Sequence, residues 1–198
     1  MKGNPTYIGQ TLQTIADMFH EHHIEFAVAG ALSLGIRSQP RYTSDIDVLV
    51  HPDEYHTLEN LFTHSEFNML MHDEYMLTVK DSRTGVEIDV LFSPFDPEES
   101  ARATATNEDM FGVSVPVIQS EYLLWMYLLS DQEKHKVDGI NLIQSGNVNC
   151  EKLSQYLQYD GDEQCLETLR EWIAKAEQEQ QHSYSKSVRQ RKSLKDRS

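Results

Sequence analysis

The chain has 198 residues, 39% of them hydrophobic and 25% charged, and carries a net charge of −15. Its length suits one domain with a helical appendage and a sizeable core, and its composition is that of a soluble globular protein. No apolar run approaches the ~20 residues of a membrane-spanning helix, and the opening MKGNPTYIGQ lacks the apolar stretch of a secretory signal. The two cysteines, Cys150 and Cys165, have no metal-ligand spacing, so the expectation is a cytoplasmic protein with free thiols. The charge is uneven. From His182 to Ser198 the six basic residues Lys186, Arg189, Arg191, Lys192, Lys195 and Arg197 face the single acid Asp196, a net of +5, which leaves −20 on the rest. A body that acidic repels nucleic acid in general. An RNA substrate would have to be caught by local basic groups or by this C-terminal stretch.

Asn4-Pro5 predicts a helix start, and Ile8, Leu12, Ile15 and Phe19 recur at helical spacing. His20, His22 and His23 close that helix, either solvating its end and complementing its dipole or offering metal ligands. Glu25 to Ala29 predicts a buried strand, and Ala31 to Ile36 a short helix of small and apolar residues broken by Gln39-Pro40. Asp45 to Val50 predicts the central strand. Pro52 opens a helix with Tyr55, Leu58 and Phe62 on one face. Tyr75 to Val79 and Val86 to Phe92 predict an antiparallel hairpin around Asp81-Ser82-Arg83-Thr84-Gly85. Ser93 to Pro97 ends the sheet pattern. Gly112 to Val117 predicts a last strand, placed at a sheet edge because Pro116 lacks a donor.

From Ser120 onward the pattern is helical. Leu123, Leu124, Tyr127 and Leu128 form one apolar face. Val137, Ile140 and Ile143 form a second, closed by Gly146. Leu153, Tyr156 and Leu157 form a third, ended by Asp160-Gly161. Leu166, Leu169, Ile173 and Ala176 form a fourth. The remainder, EQEQQHSYSKSVRQRKSLKDRS, lacks periodicity and is expected to be disordered.

The segment from Phe26 to Val50 organises the rest. Alternate side chains of a strand share a face, so Asp45 and Asp47 point one way while Ile46, Val48 and Val50 point into a core. Side-by-side carboxylates repel each other, and a divalent cation is the usual remedy. The strand Val86 to Phe92 supplies a third carboxylate, Asp89. Aspartate is depleted in strands, yet these acids sit inside the most apolar strands of the chain. Convergent acids beside a Gly turn that opens a helix are what a metal-dependent phosphoryl-transfer site requires.

Gly30, then Asp45-Ile46-Asp47, then Ile88-Asp89-Val90 resembles the signature of the DNA polymerase β nucleotidyltransferase superfamily. Within it, Arg41 to Asp47 (RYTSDID) is similar to the small bacterial members grouped with abortive-infection-type nucleotidyltransferase toxins. The resemblance is specific from about Phe26 to Phe92 and weaker from Val115 to Leu157. It implies an α/β (α+β) nucleotidyltransferase fold, a small mixed sheet flanked by helices, with a C-terminal helical subdomain. The expected divisions are a core over residues 1–118, a helical subdomain over 119–180 and a basic disordered tail over 181–198. The implied activity is Mg²⁺-dependent transfer of a nucleotidyl group from an NTP to a hydroxyl. The acceptor would be RNA such as tRNA, a protein or a small molecule, and a toxin-like member would have an antitoxin partner. The alternative is a non-catalytic nucleotide-binding or regulatory protein that keeps the fold.

The resemblance assigns Asp45, Asp47 and Asp89 to catalysis and to two Mg²⁺ ions. It assigns Gly30, Ala31 and the helix they open to phosphate binding. Ala31 stands where relatives carry a second Gly or a Ser. Ser33 either compensates or merely packs the helix. Arg37, Arg41 and Thr43 lie beside the triphosphate in such relatives, or else form a solvated loop. Lys134 and Lys136 fit a basic turn that binds phosphate ahead of a helix carrying Asp138, which otherwise pairs locally. The preceding helix, Leu123 to Leu128, has no lysine.

Overall fold

In the computed structural model, which describes residues 5–92 and 96–195, the chain divides into two compact units, Met1–Leu123 and Leu124–Ser198. The expected helix cap Asn4 and the segment Ser93 to Phe95 lie outside the described residues.

The first unit is a seven-stranded mixed sheet with helices. Helix α1 (Pro5–Glu21) is followed by β1 (Phe26–Val28), α2 (Gly30–Arg37), β2 (Asp45–Val50), a 3-10 turn (Pro52–Glu54) and α3 (Tyr55–Thr63). Then come β3 (Phe67–His72), β4 (Met76–Asp81), β5 (Glu87–Phe92), α4 (Asp96–Ala103), β6 (Thr106–Met110) and β7 (Val113–Val117). The strand order is β3-β4-β5-β2-β1-β7-β6. Strand β2 runs parallel to β5 and antiparallel to β1, and β1 runs parallel to β7. The two outer hairpins, β3–β4 and β6–β7, are antiparallel.

The apolar stripe of α1 does what its spacing predicts: Ile8, Leu12, Ile15 and Phe19 are buried in one core with Ile46, Val48 and Val50 of β2 and Ile88 and Val90 of β5. Phe19 packs edge-on against Phe26 and Phe62, at ring-centroid distances of 5.1 and 6.4 Å. Two residues past the end of the helix, His23 adopts φ 58°, a left-handed stop of the kind that terminates helices; His20, His22 and His23 are exposed.

A buried polar cluster joins the β4–β5 hairpin to α1. Asp81 is fully buried and accepts hydrogen bonds from the Thr11 hydroxyl at 3.0 Å, from the Arg83 backbone N–H at 2.9 Å and from the Arg83 guanidinium. Arg83 also donates to Thr14, 2.9 Å away. Burial pushes the Asp81 carboxyl up, but these donors outweigh it and hold the group below its ordinary value.

Three elements absent from the sequence expectations appear: β3, α4 and β6. Strand β3 reads FNMLMH, has no β-branched residue, and breaks register between Met69 and Met71, so it shows no clean alternation. Strand β6 reads TNEDM, a polar sequence made a strand by pairing with β7. That pairing also corrects the placement of Val113–Val117. It lies between β1 and β6, and β6 is the edge. Pro116 is accommodated because β1 meets β7 only at Val28–Val117.

The second unit is helical: the remainder of α5 (Ser120–Leu128), then α6 (Glu133–Gln144), α7 (Cys150–Asp160) and α8 (Glu163–Lys195). Asn149 caps α7 by accepting from the Lys152 N–H at 2.9 Å, and Gly161, at φ 80°, ends it. On α6 the expected inward face is displaced. Val137 is 55% exposed, while Asp138, Gly139, Ile140 and Leu142 are buried. The reason is Gly139: a Cβ there would lie 2.2 Å from the Trp172 ring, so the bare backbone admits the indole of α8 and sets the helix rotation. Cys150 and Cys165 are not joined in a disulfide, and burial pushes the Cys165 thiol up to about 12. The segment expected to be disordered beyond residue 181 is instead helical in its backbone through Lys195. No Gly or Pro interrupts the chain after Gly161, and Gln, Glu, Lys and Arg are good helix formers.

Candidate active site

The carboxylates converge because two strands of like pattern lie parallel and in register. Asp47 is paired with Asp89, and Asp45 with Glu87. Ile46, Val48, Ile88 and Val90 are fully buried, whereas Asp45, Asp47, Glu87 and Asp89 are half-buried on the opposite face. Strand β4 extends both rows, placing Thr78 opposite Asp89 and Lys80 opposite Glu87. Two rows therefore cross three strands, Lys80–Glu87–Asp45 and Thr78–Asp89–Asp47, with neighbouring strands ~4.8 Å apart.

Each acid has a defined neighbour. The Thr43 hydroxyl donates to Asp45 Oδ1, the Thr78 hydroxyl donates to Asp89 Oδ1 at 2.7 Å, and Lys80 Nζ lies 2.8 Å from Glu87 Oε1. Asp47 is held by backbone: its carbonyl accepts from the Ala29 N–H at 2.9 Å, while its carboxylate lies against Gly30. A Cβ on Gly30 would fall 1.8 Å from Asp47 Oδ2. Gly30 also has φ +55°, a conformation in which other residues are strained.

That glycine opens α2, whose N-cap Ala29 provides no side-chain hydrogen bond. The first turn of α2 thus meets the acid face, and a helix N-terminus attracts anions. Ala31 is buried in that turn. Arg41 and Thr43 are half-buried in the loop between α2 and β2. Ser33 takes the second of its two expected alternatives, packing the helix. It is fully buried and its hydroxyl points to the Ile118 carbonyl oxygen, 3.5 Å away, so it packs α2 rather than presenting a hydroxyl at the helix N-terminus. Arg37 departs from the expected role. It lies in the last turn of α2, and its guanidinium donates to the carbonyls of Val117 and Ile118, both at 2.9 Å, and to Glu108 at 3.0 Å. It bolts α2 to the β6–β7 hairpin. Lys134 and Lys136 belong to the second unit, in the first turn of α6, and Asp138 is buried on the same helix.

Glu87, Thr78 and Lys80 escaped the sequence reading. Alternation in Val-Glu-Ile-Asp already puts Glu87 on the face of Asp89. Thr78 and Lys80 required the hairpin register. Among the described residues, no group of three or more His, Cys, Asp or Glu side chains is drawn together to hold a metal. The carboxylate oxygens of Asp45, Asp47 and Asp89 nevertheless suit a hard divalent cation.

No protein-family model matches the chain, and no curated protein sequence matches it. Solved structures do. The antibiotic-resistance factor ANT(2'')-Ia aligns at 16% identity over 90% of this chain and 100% of its own, with a TM-score of 0.59. The lincosamide antibiotic adenylyltransferase LnuA, in a lincomycin-bound crystal structure, aligns at 15% identity over 72% of this chain and 98% of its own, TM-score 0.52. An antigenic nucleotidyltransferase-like protein from Paracoccidioides brasiliensis aligns at 19% identity over 82% of this chain and 93% of its own, TM-score 0.52. The fold is the nucleotidyltransferase fold.

Proposed function

We propose that the protein is a nucleotidyltransferase that moves a nucleotidyl group from an NTP to a hydroxyl of a small polar acceptor. The observation that carries this reading is the in-register Asp47–Asp89 pair set against the Gly30 turn, on a fold shared with antibiotic adenylyltransferases. Asp45, Asp47 and Asp89 are the residues that would hold Mg²⁺. Bound divalent cations supply positive charge to a triphosphate and lower the pKa of an attacking hydroxyl. The chain's own groups do the rest. Backbone donors of Gly30 and Ala31 receive a phosphate at the α2 N-terminus, and Arg41 and Thr43 flank it. Asp89, oriented by Thr78, takes the proton of the acceptor hydroxyl. The acceptor oxygen bonds to the α-phosphorus as the bond to pyrophosphate breaks. Lys134 and Lys136 put two cations on the positive end of α6, an arrangement that disfavours folding locally and suits a polyanion.

A net charge of −15 favours a cationic or neutral acceptor over a polyanion. A second reading keeps RNA, tRNA above all, as the acceptor of a toxin-like enzyme with an antitoxin partner. It draws on the basic stretch after His182. Incubation with labelled NTPs, with Mg²⁺ or with EDTA, alongside tobramycin, lincomycin, total RNA and the protein alone, tests both. Label transfer to a small molecule in Mg²⁺ only supports the first reading, and transfer to RNA supports the second. No transfer to any acceptor would leave a nucleotide-binding protein that keeps the fold.

A further inference from the structure

A cavity of about 350 Å³ lies between α1, α2, the loop that follows α2 and the turn joining β6 to β7. It adjoins the acid face, sharing Ala31, Arg41 and Thr43 with the phosphate site proposed above, although Gly30, Asp45, Asp47 and Asp89 do not line it. Its walls are apolar, from Ile8, Leu32, Gly35 and Met110. Three large apolar side chains at its edge remain in solvent, with Ile36 39% exposed, Tyr42 59% and Phe111 52%. Isolated exposed apolar residues are ordinary, but a group of them around one hollow marks a contact surface.

Phe111 is placed by the turn between β6 and β7. With Gly112 at φ 84° and itself at φ 56°, it forms the two-residue hairpin turn in which both positions take positive φ. Gly9 makes room for it, since a Cβ there would lie 2.9 Å from Phe111 Cβ. The hairpin turn thus sets the ring at the cavity. The volume falls within the range of small-molecule sites. Exposed rings of Tyr42 and Phe111 favour a flat π partner over a branched aliphatic one. Arg41, Thr43 and Asp109 supply polar groups on the same lining.

We propose that this cavity binds a small planar aromatic molecule bearing a hydrogen-bonding substituent, and that its occupancy is felt at Asp45. Thr43 is the link, because it lines the cavity and donates to the Asp45 carboxylate. A ligand that engages the Thr43 hydroxyl competes with Asp45 for it. Binding itself does not depend on the nucleotidyl-transfer reading, and only the consequence at Asp45 rests on it.

Indole is a suitable probe, titrated into the ¹⁵N-labelled full chain and followed by amide shifts. Saturable shifts grouped at Ala31, Gly35, Tyr42 and Phe111, with a smaller change at Asp45, are expected. Gly35→Leu should plug the hollow, because a Cβ at that position stands in ordinary contact with Pro40, 3.5 Å away. It should weaken the response at least tenfold while preserving spectral dispersion. Phe111→Asn, which tolerates the left-handed backbone, should keep the melting temperature and lose the response. A parallel titration with AMP separates sources: shifts of the same amides by AMP but not by indole would make the cavity a nucleotide subsite and overturn the proposal. Absence of saturable indole shifts, shifts scattered over the surface, or an unchanged response in both variants would overturn it equally, whatever the outcome of the transfer assay.

Discussion

Gly30 and Asp47 occupy space that one more carbon would close. A Cβ on Gly30 would sit 1.8 Å from Asp47 Oδ2 and 2.5 Å from its Cγ. The N-terminus of α2 and the carboxylate face of β2 meet here in direct contact. Gly30→Ala should therefore displace Asp47 and strain a left-handed residue, at a cost of at least ~1 kcal/mol from the backbone alone. Thermal melting should fall by several degrees, roughly as 1 kcal/mol does in a domain of this size. Transfer activity should drop by more than the stability loss explains. Wild-type activity in the variant would show that close approach of α2 to Asp47 is not used.

Asp45→Asn and Asp47→Asn should abolish Mg²⁺-dependent transfer yet leave the metal-free protein as stable as the parent, or more so. Each removes one anion from a crowded face and relieves repulsion. Melting curves with Mg²⁺ and with EDTA check this. The parent should be stabilised by Mg²⁺ and the variants should not. Metal-induced stabilisation retained in both would contradict the site assignment.

Thr78→Val tests whether Asp89 needs its orienting hydroxyl. The 2.7 Å bond is to a charged acceptor, a kind worth ~1.5–3 kcal/mol. A fall of roughly tenfold to a hundredfold in kcat follows if that energy holds Asp89 in its reactive position. KM for the NTP should change little, and Thr78→Ser should recover most of the rate. An equal loss in Thr78→Ser and Thr78→Val would assign Thr78 to packing.

The Asp81 cluster predicts an acid-sensitive fold. The folded carboxyl titrates below its ordinary value of 3.8, so the native state binds this proton less readily than the unfolded chain. Its stabilising contribution is complete above that ordinary value and is lost as pH falls through the lower, folded one. Asp81→Asn should destabilise the protein by ~1–3 kcal/mol at neutral pH, since it removes the buried anion to which Thr11 and Arg83 donate. It should also flatten the stability–pH curve below about pH 4. Chemical denaturation from pH 3 to pH 7 measures both effects.

Truncation after Gln181 separates the acceptor classes. It removes six basic residues and one acid, and thermal stability should change little. If RNA is the acceptor, its binding should weaken and the salt dependence should flatten, by ~0.7 in log–log slope for each single-strand phosphate that the shortened chain no longer neutralises. A small-molecule acceptor predicts unchanged transfer. RNA binding identical in both proteins across a salt series would move RNA recognition to Lys134 and Lys136.

The core face of α1, the inward set of β2 and β5 and the shared side of Asp45, Asp47 and Asp89 were legible from residue order. Each follows from the period of one element, and that period is local. Gly30 was legible for the same reason, as a break between an apolar run and a helix of small residues. The partners of those groups were not. Thr78 meets Asp89, Lys80 meets Glu87 and Arg37 meets Glu108 only because particular strands are neighbours in a particular register. No local period encodes a register between strands far apart in sequence. The inward face of α6 likewise turned on Trp172 reaching Gly139 from another helix. Strands β3 and β6 owe their form to the neighbours they pair with, since their own residues favour it weakly. Backbone periodicity thus set which side of each element carries charge, and long-range packing chose which charges meet.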